Sequence, residues 1–304
     1  MSDRKTVLRY FHILNRLRKS PASFMDIDAY LAQQSELQDE NFNISKRQFS
    51  RVLKDISSIF ELDIDYDASR DVYYINEETE SDITSRRLEA LDTFNALKIG
   101  KDTSQIVHFE KRHPQGTEHL ISLIQAIKKG VQIQFSYQKF WDNISTARTV
   151  EPYALKEFKN RWYLVAKDKK DEKIKTFGLD RLFNLISTEN KVIVPNTFNI
   201  DNYFQHCFGI ITPDGGQPDE IILSFSPRQG KYVKTMPLHE SQVVLVDNDK
   251  ELRIQLKLFR SYDFLLEVLS HGDDVKVISP PKLAEQITAK YKNALKRYFD
   301  EKAN

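Results

Sequence analysis

Val131-Gln132-Ile133-Gln134-Phe135-Ser136-Tyr137-Gln138 alternates apolar and polar side chains along its whole length. A period of two places every second side chain on one face, so the run predicts a half-buried β-strand. The residues before it follow another period. Over 117–129, Leu120, Ile121, Leu123, Ile124 and Ile127 recur at helical spacing, and Gly130 stops them. Further strand-like runs fall near 146–155, 160–167, 173–180 and 182–194, joined by short turns. A helix feeding several short strands predicts a small β-barrel.

Two runs in this module mix cations and rings with apolar residues: Arg161-Trp162-Tyr163-Leu164, and Ile174-Lys175-Thr176-Phe177-Gly178-Leu179-Asp180-Arg181-Leu182. Guanidinium forks suit phosphate, and aromatic faces stack on bases at ~1–3 kcal/mol each. By alternation Trp162 and Leu164 share one face, where both fit a barrel core. Tyr163 and Arg161 share the other and are the better contact candidates. Arg181 admits two roles, as a partner of Asp180 or Glu151, or as a ligand contact.

Upstream, residues 4–19 place Val7, Leu8, Phe11, Leu14 and Leu17 on one helical face. Ser23-Phe24-Met25-Asp26 reads as a capping box for a second helix to about Ala32. Ser45-Lys46-Arg47-Gln48 is another, opening a third helix to about Phe60. At ~100° per residue, Phe49, Val52, Leu53 and Ile56 form one stripe. Arg47, Arg51 and Lys54 point the opposite way, flanked by Lys46 and Ser50, and no acid occurs from Ser45 to Lys54. Leu62, Ile64 and Tyr66 then alternate with aspartates, and Ala68 to Asp71 can turn the chain into Val72–Ile75. Three helices and a hairpin predict a winged helix-turn-helix, with the third helix shaped for a major groove. Its DNA candidates are Ser45, Lys46, Arg47, Gln48, Ser50, Arg51 and Lys54. Arg70 is the cation at the hairpin tip, where Asp63, Asp65, Asp67 and Asp71 would repel phosphate.

Residues 76–83 read as an acidic linker and 84–100 as a helix. After an irregular stretch, with Asp214-Gly215-Gly216-Gln217-Pro218 as a hinge, the chain reads strand 219–226, helix 227–236, strands 241–247 and 250–259, helix 261–271, strand 273–279 and helix 281–299. This βαββαβ order with a trailing helix predicts a ferredoxin-like unit.

The 304 residues carry a net charge of +1, so nucleic-acid binding must come from local patches. One cysteine, Cys207, excludes an intrachain disulfide. No apolar run nears the ~20 residues needed to span a bilayer. The polar N-terminus lacks a signal-peptide core, and a cytoplasmic protein is expected. There is no phosphate-binding loop or dinucleotide fingerprint. His206 and Cys207 are adjacent and face apart in a strand; His108, His113 and His119 lack ligand spacing. No catalytic residue, metal or cofactor is expected, and no enzyme.

With Arg148-Thr149-Val150-Glu151-Pro152-Tyr153-Ala154-Leu155 before Arg161-Trp162-Tyr163-Leu164-Val165-Ala166, and Phe177-Gly178-Leu179-Asp180-Arg181-Leu182 after it, the chain resembles the WYL-domain family. That resemblance implies a transcriptional regulator with a winged helix-turn-helix, an Sm-like barrel and a C-terminal WCX extension. It implies that the barrel senses an anionic effector, a nucleotide or single-stranded nucleic acid. The matching positions are Tyr137, Arg148, Trp162, Tyr163, Phe177 and Arg181. Two positions depart: Lys175 stands where arginine is frequent, and Gly178 where another basic residue is common.

The expectation is an α+β multidomain chain: a winged helix-turn-helix over 1–78, a helical linker over 79–118, a WYL domain over 119–195, a linker over 196–217 and a WCX domain over 218–304. Effector candidates are Ser136, Tyr137, Arg148, Arg161, Trp162, Tyr163, Lys175, Phe177 and Arg181. Expected partners are a double-stranded DNA operator, an unidentified anionic effector and a second copy in a homodimer, with no membrane. The alternative is an accessory nucleic-acid-binding regulator of a defence or repair system, acting through the barrel.

Overall fold

The computed structural model describes residues 2–76, 86, 89, 90, 93, 115–141, 144–213 and 215–300. The helix expected over 84–100 lies largely outside the described residues, as do most of the 79–118 linker, His108 and His113. The chain divides into two compact units, Met1–Lys111 and Arg112–Asn304. It is a mixed α+β protein, and none of its described helices is long and apolar enough to cross a membrane.

The first unit packs α1 (Ser2–Lys19), α2 (Phe24–Gln38) and α3 (Lys46–Phe60) with a hairpin of β1 (Ile64–Asp67) and β2 (Val72–Ile75). Its core draws on Leu8, Phe11, Leu14, Ile27, Leu31, Phe49 and Ile56. Val7 is exposed, and Tyr10 and Ile13 complete the buried face of α1 instead. Both capping boxes form: Ser23 with Asp26 and Ser45 with Gln48 exchange side-chain and backbone hydrogen bonds. Helix α2 runs six residues past its expected end. Gln33 to Leu37 add no apolar period but are compatible with helix, and Asp39 ends it in the left-handed region at φ 50°. The hairpin pairs Ile64 with Ile75 and Asp67 with Val72. Ala22 and Tyr73 add a bridge to it from the α1–α2 connection.

The second unit begins, in its described part, with a 3-10 turn (Thr117–His119) and α4 (Leu120–Lys129). Leu123 and Ala126 face inward, while Ile121 and Ile124 of the expected stripe are exposed. Five antiparallel strands follow: β3 (Val131–Gln138), β4 (Ser145–Phe158), β5 (Arg161–Asp168), β6 (Ile174–Gly178) and β7 (Leu182–Lys191). They lie in the order β6-β5-β4-β3-β7. The strand expected to run to residue 180 stops at Gly178, and a 3-10 turn (Leu179–Arg181) leads into β7. The alternation of β3 holds: Val131, Ile133, Phe135 and Tyr137 are buried.

A second antiparallel sheet comprises β8 (Asp219–Phe225), β9 (Val243–Asp247), β10 (Leu252–Leu258) and β11 (Val275–Ser279), in the order β11-β8-β10-β9. Helices α6 (Pro227–Thr235), α7 (Tyr262–Ser270) and α8 (Pro281–Asp300) accompany it. Its core includes Ile221, Leu223, Ile254, Phe264 and Leu283.

The 196–217 segment is not the free linker expected of it. It contains α5 (Ile200–Phe204), capped by Asn199, and it buries Phe204, Cys207 and Phe208. Phe204 and Cys207 pack with Val165 of the first sheet, and Phe208 enters the core of the second. Its buried rings follow no regular period, so the sequence pattern hides their role. The segment joins both sheets into one unit.

Candidate functional site

Two surfaces hold the residues singled out by the sequence. On α3, Phe49, Val52, Ile56 and Phe60 are buried. Ser45, Lys46, Arg47, Gln48, Ser50, Arg51 and Lys54 are all exposed. Among the described residues, Lys46, Arg47, Arg51 and Lys54 enter no salt bridge. Ser45 and Gln48 are committed locally: Gln48 Oε1 accepts from the Ser45 backbone at 3.1 Å, and Ser45 Oγ caps the helix. The helix therefore offers a cationic face beside a capped N-terminus, with the favourable end of its dipole there.

The hairpin is acidic, as its sequence reads. Tyr66 donates to Asp71 at 2.7 Å, and Ser69 donates to Asp67 through backbone and hydroxyl at 2.9 and 2.6 Å. Those Ser69 hydrogen bonds hold the Asp67 carboxyl below its ordinary range. Arg70 is exposed at the tip.

The second surface is an open cleft of about 860 Å³ in the second unit. Strands β3 to β6 supply Tyr137, Arg148, Arg161, Tyr163, Lys175 and Phe177, and the 3-10 turn supplies Arg181. Seven of the nine effector candidates thus meet in one place. The other two do not. Trp162 lies on the opposite face of β5, half-buried against the apolar core beneath the first sheet. Ser136 lies on the opposite face of β3 and lines no part of the cleft. Strand alternation puts both out of reach.

Among the described residues, six cations line the cleft, Lys139, Arg148, Lys159, Arg161, Lys175 and Arg181, against one acid, Asp263. Most are held by carboxylates set behind or beside them. Arg148 Nη1 and Lys175 Nζ lie 3.0 and 2.8 Å from Asp168 Oδ2, and Lys175 also reaches Asp171 at 2.6 Å. Arg161 and Arg181 share Asp180, at 2.8 and 3.1 Å. Lys159 pairs with Glu267 at 2.7 Å. Burial works against the Asp168 carboxylate, but hydrogen bonds from Lys175 and the Lys170 backbone, with the charges of Lys175 and Arg148, hold it below its usual range. The Lys175 ammonium is likewise opposed by burial and held up by Asp168 and Asp171. Burial raises the Tyr137 and Tyr163 phenols, with Arg181 pulling against it. Both remain protonated at neutral pH. The Tyr137 hydroxyl accepts from Gly178 N at 3.2 Å.

Gly178 is explained by space. A Cβ there would stand 2.1 Å from Arg181 Nη2 and 2.6 Å from Asp180 Oδ1. The Arg181 guanidinium fills the place a side chain at 178 would need.

The sequence reading missed Phe140 and Trp141, on the β3–β4 connection. They are 66% and 81% exposed and line the cleft. Arg181 and Arg161 lie over the Phe140 ring at 4.7 and 5.8 Å, and Lys139 over Trp141 at 5.9 Å. Two large rings beside a lysine in a connection were the available signal. Also missed were Ile210 to Thr212 and, from α7, Tyr262, Asp263 and Leu266. They come from distant sequence, and only folding brings them to the cleft. Asp263 accepts from Ile210 N at 3.0 Å, and Thr176 donates to Ile210 O at 3.3 Å.

A WYL domain model matches residues 118–186, and a WCX domain model matches residues 217–295. Protein PafB of Mycobacterium tuberculosis is 36% identical over 69 residues, and Protein PafB of Mycobacterium bovis has the same figures. That match covers 22% of this chain and 21% of the relative, so the shared region is about a fifth of either protein. Among solved structures, Proteasome accessory factor B/C (PafBC) of Arthrobacter aurescens aligns at TM-score 0.34 and 18% identity, covering 93% of this chain and 46% of that one. A CRISPR Cas-related protein aligns at TM-score 0.41 and 12% identity, covering 97% and 85%. Two family models thus place a WYL domain before a WCX domain in this chain.

Proposed function

We propose that this chain is a DNA-binding transcriptional regulator whose cleft senses an anionic effector. The first unit is read as a winged helix-turn-helix, with α3 entering the major groove. The first sheet with α4 is read as an Sm-like barrel, and the second sheet with its helices as a ferredoxin-like fold. The observation that carries the DNA reading is the exposed cationic face of α3, without a salt bridge among the described residues, behind a buried apolar stripe. A helix built this way stays docked on its own core while presenting donors to phosphates and guanine edges.

The effector reading rests on the six cations and exposed rings of the cleft. Ligands of matching chemistry are nucleotides and single-stranded nucleic acid. The protein acts by binding, without catalysis. Two copies on a two-fold operator give half-sites one DNA turn apart, ~34–36 Å. An effector that binds one arrangement of the DNA-binding units better shifts operator affinity by that difference, typically ~1–3 kcal/mol.

Footprinting on the DNA upstream of the chain's own reading frame tests this. A protected two-fold sequence is expected, with protection altered by the effector. Binding to single strands with no duplex preference would instead favour an accessory nucleic-acid-binding role for the cleft.

A further inference from the structure

Asp180 occupies the place of an anion. Its Oδ2 accepts from Arg161 Nη1 at 2.8 Å, and its Oδ1 accepts from Arg181 Nε at 3.1 Å. One carboxylate thus spans two guanidiniums, under the exposed ring of Phe140. Asp180 and Arg181 are largely buried, with side chains 10% and 15% exposed, and Arg161 faces the cleft at 52%. Two cations and one anion leave a net positive fork, oriented for oxygen pairs.

The backbone of Asp180 has a second contact. Gly116 sits against the 3-10 turn so closely that a Cβ there would stand 2.3 Å from Leu179 C and 2.6 Å from Asp180 N. His119 Nε2 donates to Leu182 O at 3.0 Å, just past the same turn. Gly116 and His119 lie near the start of the second unit, which begins at Arg112. The turn that carries Asp180, beside the cleft-lining Arg181, is therefore also the seat of Gly116 and His119.

We propose, building on the reading of the cleft as an anion sensor, that Asp180 is a resident competitor: a phosphoryl group of the ligand takes its place on Arg161 and Arg181, and its release shifts the Leu179–Arg181 turn and with it Gly116 and His119. A tethered carboxylate competes at an effective concentration in roughly the millimolar range. A ligand with one carboxylate of its own gains nothing over it. A phosphoryl group brings more oxygens and more charge, and Lys139 is at hand on the same cleft. Asp180 thereby selects phosphorylated ligands over simple carboxylates.

The test is Asp180→Asn in the full chain, with fluorescein-labelled hexathymidylate as probe and unlabelled pyrophosphate and acetate as competitors. If Asp180 holds the pair about nine-tenths of the time, freeing it tightens probe binding about tenfold. Acetate competes poorly with the parent protein and gains on the variant. Pyrophosphate displacing the probe at micromolar concentration points to a small free phosphate as the source. Displacement by unlabelled strand alone points to a phosphodiester backbone. Amide exchange over 115–120 rises when the probe binds the parent chain, and is already raised in Asp180→Asn. Probe binding by both proteins, with the variant equal or weaker, overturns the competitor role and leaves the cleft's anion reading standing. Unchanged exchange over 115–120 overturns the coupling. No binding of either probe or pyrophosphate to either protein overturns both the proposal and the sensor reading.

Discussion

Arg148 and Lys175 converge on one oxygen of Asp168, a side chain 1% exposed to solvent. The two cations come from different strands, β4 and β6, and the aspartate closes β5 between them. Asp168 Oδ1 also accepts from the Lys170 backbone at 3.0 Å. Removing one partner of a buried ion pair strands the other charge, at about 3–5 kcal/mol. Asp168→Ala is expected to destabilise the second unit on that scale, read as the denaturant midpoint of unfolding. The sign with pH follows. The folded carboxyl lies below its unfolded value, so its contribution is whole above about pH 4 and is lost as pH falls through the folded value.

Gly116 meets backbone, not a flexible side chain, and its φ is +86°. Gly116→Ala therefore adds both a contact that cannot yield and a strained conformation. Strain of this kind costs about 1–3 kcal/mol. Thermal melting is expected to show that loss or more. For Gly178→Ala the nearest atoms are the Arg181 tip and the Asp180 carboxylate, side chains rather than backbone. Its expected effect is weaker anion binding with a near-parent melting temperature.

His12 titrates inside the first core. It is 5% exposed, rests against Phe42 with ring centroids 4.7 Å apart, and lies 3.3 Å from Gln38 Nε2. Burial lowers its imidazole below the ordinary value, because the charged form loses its hydration. The unfolded chain then binds the proton more readily. Stability from this group is whole above about pH 6.5 and falls as pH drops toward the folded value. Amide exchange of α1 and α2 is expected to accelerate on mild acidification, and His12→Phe to remove that dependence.

The α3 cap is testable by itself. Ser45→Ala loses the side-chain acceptor for Gln48 N, at about 0.5–2 kcal/mol. Helicity and melting of the first unit are expected to fall by that amount, and duplex binding with them.

What could be read before folding follows a physical division. The capping boxes at Ser23 and Ser45, the stripe of α3 and the alternation of β3 are local, set by residues within a turn or two of each other. Arg161 and Tyr163 were legible because strand alternation predicts which face a side chain takes, whereas Tyr137 and Arg181, the latter in a 3-10 turn, came from the family resemblance. Trp162 was assigned both to core and to ligand, and alternation had already placed it with Leu164. What stayed hidden depends on long-range closure. The role of Asp180 as a shared partner needs Arg161 and Arg181 brought together across 20 positions. Asp263 reaches the cleft from α7. The 196–217 segment reads as linker because its buried phenylalanines have no period, yet Phe208 lies in a core.

The most direct test is the salt dependence of duplex binding by the parent chain and by the Arg47→Ala, Arg51→Ala, Lys54→Ala triple variant. Each phosphate neutralised contributes about 0.9 to the slope of log affinity against log salt. The account predicts that the triple variant loses about 2.7 from that slope, with its second unit still melting as in the parent. Coincident slopes for the two proteins would contradict α3 as the DNA-reading face.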